Sequence, residues 1–305
     1  MNDKRNNFVC IGALHPDYVL QLKNNYFKNR TNPISHKKHL GGVAYNIASK
    51  LAFLNILTEL ISLNCKPENK KWLIKNKIKF TSLTEKIYER YYTSVLNHKG
   101  EMILGLAYMD NYEKILPVSN IKNKINKNII IDLNLHHKNI KSLITKYHYK
   151  NNICVCGTSS HKVYKIRHSL NKINVLILNK QESLNLTKKK NIKDALQNII
   201  EQNKNLIIVI TNGRNTVFAY HHNKIYSCKP LNVTIKNENG AGDTMSAVFI
   251  YLYSQSISFK ELLLKSTSAG SLQASGYNEI NKKKYIQKIN RISKTLKITS
   301  KKYNG

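Results

Sequence analysis

The 305-residue chain carries 50 Lys and Arg against 17 Asp and Glu, a formal net charge of +33, and 41% of its residues are hydrophobic. This length accommodates one domain, residues 1–305, with a large core, and no apolar run approaches the length that spans a bilayer. The polar start of the chain lacks the features of a secretory signal, so we expect a cytoplasmic protein without membrane contacts.

The positive charge has two explanations. Lys and Arg neutralise phosphates, which makes a basic nucleic-acid-binding protein one alternative. The excess is, however, spread along the whole chain and accompanied by many Asn, Ile and Tyr. The codons of these residues are rich in A and T, so an AT-biased genome produces this composition without selection for a basic surface. We therefore expect no specific nucleic-acid partner, but nonspecific binding of polyanions at low salt.

The first part of the chain alternates between strand and helix patterns. Residues 8–11 are predicted to form a buried strand, whereas residues 15–40 are polar and irregular. From residue 43 to 54 apolar residues recur with helical spacing. This helix begins directly after Gly41-Gly42 and ends at Asn55, a residue that tolerates the left-handed conformation after a helix.

Short apolar runs then follow, separated by helical segments. Residues 91–97 and 101–108 are β-rich runs joined by a three-residue hairpin loop. Continuous apolar runs between helices are typical of interior strands of a parallel sheet. We predict an α/β fold with a doubly wound, mostly parallel sheet flanked by helices, and a small β element beside it. The remaining predicted strands are 58–63, 129–131, 153–155, 175–178 and 206–210, and a late helix covers 259–275.

The segment Asn239-Gly240-Ala241-Gly242-Asp243-Thr244 is the most informative stretch of the chain. It follows a strand-like run, 231–235, and leads into an apolar stretch of helical length. Glycines let the backbone approach a ligand, and the free N–H groups at a helix start bind anions. Asp243 is placed to accept a proton from a hydroxyl while the neighbouring amides stabilise phosphoryl charge. A helix cap after a Gly-rich turn is the structural alternative.

Other polar residues follow the predicted strands, where open α/β sheets bind ligands. Asp17 is a loop carboxylate suited to a pair of hydroxyls, and Asn46, one turn into the helix after Gly41-Gly42, can donate to and accept from the same ligand. Asp132 and Asn134 stand just past another strand. A solvated side chain is the alternative for each.

Two further motifs suit a nucleotide. In Asn179-Lys180-Gln181-Glu182, the carboxylate of Glu182 could hold Mg²⁺-bound water. The same spacing is also a capping-box pattern. The turn Thr211-Asn212-Gly213 ends a predicted strand, where it could lie against a nucleotide, and by itself it is merely a turn.

In chain order, the Asp after the first strand, Gly-Gly-x-x-x-Asn, Asn-x-x-Glu, Thr-x-Gly and Gly-Ala-Gly-Asp resemble the ribokinase-like (pfkB) family of carbohydrate kinases over essentially the whole chain. The resemblance implies phosphorylation of a hydroxymethyl group on a sugar or nucleoside, with ATP and Mg²⁺. It also implies a small β lid, near residues 15–40 and 88–110, which in this family sometimes forms a homodimer. By this resemblance Asp243 would be the base, with Gly240, Ala241 and Gly242 as the anion hole; Asn179, Thr211, Gly213 and Asn239 would bind the nucleotide; Glu182 would serve Mg²⁺; and Asp17, Gly41, Gly42 and Asn46 would hold the sugar.

Some segments are similar to pseudouridine kinases within that family. These similarities imply pseudouridine as the acceptor, phosphorylated on its 5′-hydroxyl. Ribose and a purine nucleoside stay open as alternatives, and so does a decayed kinase. A K⁺ requirement is also open, because Asn237 and Glu238 alter the segment whose carbonyls would be involved. The similarity is carried by Asn32 in Thr31-Asn32-Pro33, Thr93 in the run 92–97, Asp132-Leu133-Asn134, Lys162 in Ser159-x-x-Lys162, and Asn237.

Overall fold

The computed structural model describes residues 8–118, 121–122, 124–125, 127–235, 239–255 and 257–303, and these residues build two sheets. The strands are β1 (Phe8–Ile11), β2 (His15–Leu22), β3 (Ile34–Gly41), β4 (Thr58–Asn64), β5 (Ile78–Ile87), β6 (Tyr91–Leu96), β7 (Met102–Tyr108), β8 (Asn128–Asp132), β9 (Asn152–Cys156), β10 (Val175–Asn179), β11 (Ile207–Thr211), β12 (Val217–His221), β13 (Lys224–Cys228) and β14 (Ile298–Lys302). The helices are α1 (Val43–Phe53), α2 (Pro67–Lys75), α3 (His137–Tyr147), α4 (Lys180–Thr187), α5 (Ile192–Gln202), α6 (Ala241–Tyr253), α7 (Phe259–Ala274) and α8 (Lys282–Ser293).

The large sheet has ten strands in the order β14-β13-β12-β11-β10-β9-β8-β1-β4-β5. Its strands from β11 to β5 run parallel, whereas β12, β13 and β14 pair antiparallel. The predicted doubly wound, mostly parallel α/β sheet is confirmed. From β1 the chain first adds β4 and β5 on one side and then crosses to β8 on the other, so the strand order reverses between β1 and β8.

Alternate residues of each interior strand pack on opposite faces of this sheet. Val9 and Ile11 belong to the apolar cluster that also contains residues of α3, α4 and α5. Phe8 and Cys10 belong to the cluster formed with α1, α6 and α7. Strands buried on both faces read as continuous apolar runs, which explains why the sequence pattern located them. Within the described residues, no helix has the length and apolar character needed to cross a membrane.

A separate four-stranded sheet, in the order β3-β2-β6-β7, stands beside the core. We call it the small sheet. The local pattern predicted that residues 15–40 are irregular, and this prediction is wrong, because they contain β2 and β3. These strands fit the small β element that the resemblance implied near residues 15–40. The strands were hidden by their exposure: β3 is exposed over most of its length and carries no alternation of apolar and polar residues. Their pairing with each other and with β6 supplies the order that local composition does not.

Two other segments differ from the sequence prediction. The run 231–235 forms no strand, although its residues favour one. Its backbone is instead anchored by a side chain, since the Leu231 amide donates to Ser271 Oγ at 3.2 Å. The sequence analysis predicted no element after the late helix 259–275, whereas the chain there forms α8 and β14, and β14 completes the sheet edge beside β13.

Candidate active site

Several of the predicted site residues lie where five parallel strands end. β1, β8, β9, β10 and β11 have their carboxyl ends at one edge of the large sheet. Asp132 is the last residue of β8, and Asn179 and Thr211 end β10 and β11. The reversal of strand order between β1 and β8 opens a crevice at this edge, which is where open α/β sheets bind ligands.

Asp132 braces this edge. Its Oδ2 accepts hydrogen bonds from the amides of Ala13 (2.8 Å) and Ala44 (3.1 Å), and its Oδ1 accepts one from the amide of Asn134 (2.9 Å). It thereby joins the end of β1 to the first turn of α1, where a carboxylate also suits the helix dipole. The residue is fully buried. Backbone amides use both of its oxygens, and the acceptor contact that the resemblance implies stays a prediction.

Asp243 and Asn46 meet although they are far apart in sequence. Asn46 Nδ2, in the first turn of α1, donates to Asp243 Oδ2, in the first turn of α6, at 2.7 Å. Burial raises the pKa of Asp243 to about 6, the nearby charges of Asp132 and Asp17 act in the same direction, and the Asn46 bond opposes them. The side chain keeps partial access to solvent. This combination gives a carboxylate that can exchange a proton near neutral pH.

The start of α6 presents backbone amides to open space. Gly240 is its N-cap residue, with φ 75°, and accepts the first helical bond from the Thr244 amide at 2.9 Å. The preceding amides of Ala241, Gly242 and Asp243 therefore have no intrahelical acceptor. A Cβ built at Gly240 or at Gly242 would meet no atom within 4 Å. The helix start thus offers free donors and room for an anion beside Asp243.

The predicted nucleotide residues also lie together. Asn179 and Thr211 are register partners on β10 and β11, and Gly213 follows with φ 57° and open space at its Cβ position. Asn179 and Glu182 form the capping box that was the structural alternative: the Glu182 amide donates to Asn179 Oδ1 (2.9 Å) and the Asn179 amide to Glu182 Oε2 (2.7 Å). The capping box does not use all the oxygen lone pairs of Glu182.

Glu182 fits a magnesium ion that is held mainly by phosphate and water. Its carboxyl group is buried, and this burial, with a smaller effect from Asp243, raises its pKa to about 7. A cation beside it would relieve that penalty. The described residues contain no cluster of three or more His, Cys, Asp or Glu that could hold a metal. Mg²⁺ commonly takes one or two carboxylates together with substrate phosphates and water, and one carboxylate meets that need.

The small sheet contributes polar side chains to the same cleft. Asp17 was predicted to lie in a loop, which is wrong, since it lies in β2. Its Oδ1 is 2.7 Å from His15 Nδ1, and its Oδ2 is 3.8 Å from His39 Nε2. A Cβ at Gly41 would overlap the Asp17 carboxylate, so only glycine permits this close approach. Asp17, His39, Asn46, Asn239 and Gly240 line one cleft of about 680 Å³.

A cavity of about 870 Å³ lies elsewhere, along β5, and is lined by Glu59, Thr81 and Lys124 among others. None of the predicted site residues lines it. Size alone would favour this cavity. We place the site in the smaller cleft because Asn46, at the cleft wall, is hydrogen-bonded to Asp243, and because the free amides of α6 begin there.

The residues of the pseudouridine pattern are only partly brought together. Lys162 Nζ donates to Asn134 Oδ1 at 2.8 Å, beside Asp132. Thr93 pairs with Tyr18, the neighbour of Asp17, so its side chain lies on the opposite face of the small sheet from Asp17. Asn32 lies in the loop beyond Leu22, roughly 17 Å along the strand from Asp17 at about 3.3 Å per residue.

Asn32 serves its own loop. Its Oδ1 accepts from the Phe27 amide at 2.8 Å, and its Nδ2 donates to the carbonyls of Phe27 and Arg30, both at 2.8 Å. In this chain the side chain therefore folds the tip of the small sheet rather than lining the cleft. Asn237 and Glu238, on which the K⁺ argument depends, lie outside the described residues.

Sequence reasoning missed three residues around Asp17. His15 and His39 flank its carboxylate, and Tyr92 is its register partner on β6. Burial, with a further effect from Asp17, raises the pKa of the Tyr92 hydroxyl. The available signal was the alternation His15, Asp17 along β2, but it becomes visible only once residues 15–22 are read as a strand.

Comparison with known proteins gives a consistent result. A family model described as pfkB family carbohydrate kinase matches residues 5–284. Among solved structures, the chain is similar to a carbohydrate kinase from Agrobacterium tumefaciens (TM-score 0.78, 18% identity, 97% of this chain and 100% of that chain covered). It is also similar to a nucleoside kinase from Methanocaldococcus jannaschii, an archaeal member of the ribokinase family (0.72, 18%, 94% and 98%). A third is a ribokinase from Cryptococcus neoformans in complex with ADP (0.74, 14%, 95% and 98%). At these identities the structures show a shared fold, and no curated protein matches the chain.

Proposed function

Because this chain belongs to the pfkB family of carbohydrate kinases, and is an ATP-dependent carbohydrate or nucleoside kinase, we propose that it transfers the γ-phosphoryl group of ATP to the 5′-hydroxyl of pseudouridine. The observation that carries the catalytic assignment is the meeting of Asp243 and Asn46 at 2.7 Å beside the free amides of α6. In this proposal Asp243 accepts the proton, the Asn46 side chain binds the substrate hydroxyl, and the amides of α6 form the anion hole.

Asp243 is the proposed general base. Phosphoryl transfer requires positioning and electrostatic stabilisation more than covalent work by the protein. Asp243 accepts the proton of the acceptor hydroxyl, while Asn46 orients both the carboxylate and the hydroxyl. The amides of Gly240, Ala241 and Gly242 stabilise the negative charge on the transferred group.

The nucleotide lies, in this proposal, across Asn179, Thr211 and Gly213, with Asn239 close to the anion hole. Glu182 would hold water bound to Mg²⁺, and the ion would supply neutralisation of phosphate charge. The ADP bound to the similar ribokinase supports nucleotide binding in this fold. A K⁺ requirement has no support from the described residues.

The acceptor lies, in this proposal, between Asp17, Gly41, Gly42 and Asn46. The choice of pseudouridine is supported by Lys162, whose ammonium group and Asn134 offer donors at the same sheet edge, and by the sequence similarity at Thr93 and Asn32. Those two side chains lie away from the cleft of their own chain. Ribose or a purine nucleoside is therefore the second candidate, and the likeness to a nucleoside kinase fits it equally well.

The small sheet is proposed to act as a lid that excludes water, which would otherwise compete as the phosphoryl acceptor. It is also the proposed site of a homodimer. Its outer strand β7 carries Leu104, Leu106 and Tyr108 on one face, and each is at least 41% exposed. Exposed apolar patches of this kind mark interaction surfaces. A cytoplasmic location stays part of the proposal.

The test is an ADP-release assay with ATP and Mg²⁺ against pseudouridine, uridine, adenosine, ribose and fructose 6-phosphate. Selective turnover of pseudouridine is the expected result. Turnover of another acceptor would overturn the pseudouridine assignment and leave the kinase intact. Silence with all five, from folded protein that binds ATP, would contradict pseudouridine, ribose and adenosine as acceptors and would point to an untested acceptor or a decayed enzyme.

A further inference from the structure

Three of the four connections between the small sheet and the core converge on one buried polar cluster. Leu14 immediately precedes β2, Arg90 immediately precedes β6, and Tyr112 lies in a short 3₁₀ helix that follows β7. All three are buried. We call the Arg90 guanidinium, the Tyr112 hydroxyl and the Leu14 backbone the hinge cluster.

Arg90 is the centre of the hinge cluster. Its Nε donates to the Leu14 carbonyl (2.8 Å), its Nη2 to the Leu63 carbonyl (3.0 Å), and its Nη1 to the carbonyls of Asn64 (3.0 Å) and Tyr88 (2.7 Å). Leu63 and Asn64 end β4 of the large sheet. The planar fork of one guanidinium therefore ties the entry to β6, the entry to β2 and the core together.

Tyr112 closes the cluster from the third connection. Its hydroxyl donates to the Leu14 carbonyl (2.8 Å) and accepts from the Leu14 amide (2.7 Å) and from Arg90 Nε (3.1 Å). Among the described residues, no carboxylate lies within ion-pair distance of Arg90, so carbonyls and this hydroxyl are its acceptors. Groups buried this way hold a fixed geometry, because each lost bond leaves an unsatisfied polar atom behind.

The hinge cluster is one residue away from the candidate active site. Leu14 follows Ala13, whose amide donates to Asp132 Oδ2 and whose carbonyl accepts from the Tyr45 amide of α1 (3.2 Å). Leu14 also precedes His15, which contacts Asp17. A shift of Leu14 would therefore move β2, with Asp17, relative to α1, with Asn46.

We propose that Arg90 and Tyr112 are positioning residues of the phosphoryl transfer: they set where the small sheet stands over the cleft, and so where Asp17 meets the acceptor relative to Asn46 and Asp243. This inference rests on the proposed acceptor site. A purely structural role would also affect nucleotide binding, whereas this positioning role leaves nucleotide binding unchanged. The nucleotide residues Asn179 and Thr211 are held by β10 and β11, which the hinge cluster does not contact.

The test compares Tyr112→Phe, which removes only the hydroxyl, with the wild type. We expect acceptor kcat/KM to fall about 10- to 100-fold, because a displacement near 1 Å is enough for such a loss. ADP affinity, measured by calorimetry, should stay unchanged. Hydrogen exchange should speed up in β2 and β6 but not in β10 and β11. Arg90→Lys should show a larger loss of the same kind, and Arg291→Lys, at an exposed site on α8, is the matched control.

Each measurement supports or overturns the positioning role of Arg90 and Tyr112. Unchanged exchange in β2 and β6, or an acceptor kcat/KM equal to that of the wild type, would overturn the inference. So would parallel loss of ADP affinity and acceptor turnover, since that is the sign of a general structural defect. The exchange and ADP measurements need no acceptor. If the wild type phosphorylates none of the acceptors, the proposed function fails, while faster exchange confined to the small sheet still supports the hinge.

Discussion

At the scale of single residues, two carboxyl groups at the sheet edge are held where their charge is disfavoured. Burial raises the pKa of Asp243 to about 6 and that of Glu182 to about 7, and each is further affected by other carboxylates nearby. A general base works best when its pKa lies near the operating pH. Placing a base among other acids is therefore a means of tuning it, and the cost falls on the stability of the free protein.

Asp243→Asn tests the base. The amide keeps the size and the contact with Asn46 but cannot accept the proton, so we expect turnover to fall about 10²- to 10⁴-fold. The wild type should lose acceptor kcat/KM as the pH falls below about 6, because Asp243 then becomes protonated. Measuring ADP release against pH gives both results.

Asp194→Asn is the control for this substitution, since Asp194 also occupies the first turn of a helix but is exposed, on α5. Its turnover should match that of the wild type. If Asp243→Asn retained wild-type turnover with the same pH profile, Asp243 would not be the base.

Glu182 links pH to stability. The pKa of Glu182 in the folded state is about 7, above its ordinary value of 4.5, so the folded state binds the proton more tightly than the unfolded state. Its contribution is fully favourable below pH 4.5 and is lost as the pH rises through about 7, a change on the order of 3 kcal/mol. Relative to Glu182→Gln, the wild type should therefore lose unfolding free energy between these pH values in denaturant titrations without Mg²⁺.

Glu68→Gln supplies the comparison, because Glu68 is exposed in the first turn of α2. The pH dependence of the Glu182→Gln difference is compared with that of this exposed Glu→Gln change. A difference for Glu182→Gln that stays constant with pH would show that the buried carboxyl group does not titrate in this range.

At the scale of elements, β7, the outer strand of the small sheet, is exposed along its whole length. A homodimer would cover the face that carries Leu104 and Leu106. We expect the wild type to sediment as a dimer and Leu104→Lys with Leu106→Lys to sediment as a monomer, because the new charges would be buried without partners. Ile74→Lys, at an exposed apolar position on α2, should leave the dimer intact. A monomeric wild type would refute this interface.

The sequence was most informative where burial dictates composition. β8, β10 and β11 are continuous apolar runs because both faces of the large sheet are covered, and Asn55 was correctly expected to adopt the left-handed conformation, with φ 60°. The local residue pattern did not predict β2 and β3, because their strand structure comes from pairing across the small sheet. The prediction for 231–235 was wrong in the opposite sense, since its residues favour a strand but do not pair with one.

The candidate site shows the same division. Spacing located Asp243, Asn46 and Glu182, because glycine turns and helix starts are local features. Their contacts were not predictable: 197 positions separate Asn46 from Asp243. The pattern also assigned Asp132 to the acceptor, and that assignment stays a prediction; what the pattern did not show is that three backbone amides donate to this carboxylate. A motif records which residue types stand together, whereas the fold decides which contacts they make.

At the scale of the whole molecule, the candidate site places carboxylates within a strongly basic chain. Asp17, Asp132, Glu182 and Asp243 are four of only 17 acidic residues, against 50 Lys and Arg, and of these four only Asp17 lines the cleft itself. The net positive charge of the chain attracts ATP from a distance, and this attraction weakens as salt screens it. It would attract any other polyanion equally, so charge by itself does not indicate a nucleic-acid function.

A salt titration distinguishes the two explanations of the positive charge, biased composition and a nucleic-acid-binding surface. If the basic residues are a consequence of composition, labelled double-stranded DNA should bind at about 50 mM salt and be released by about 200 mM, with no preference for sequence. Fluorescence anisotropy measures this directly, and excess unlabelled DNA of unrelated sequence should compete equally well. Binding that persists at the higher salt and resists such a competitor would mean that a defined surface reads nucleic acid. The proposed kinase site predicts the opposite, because the phosphate contacts proposed for it are backbone amides at the start of α6.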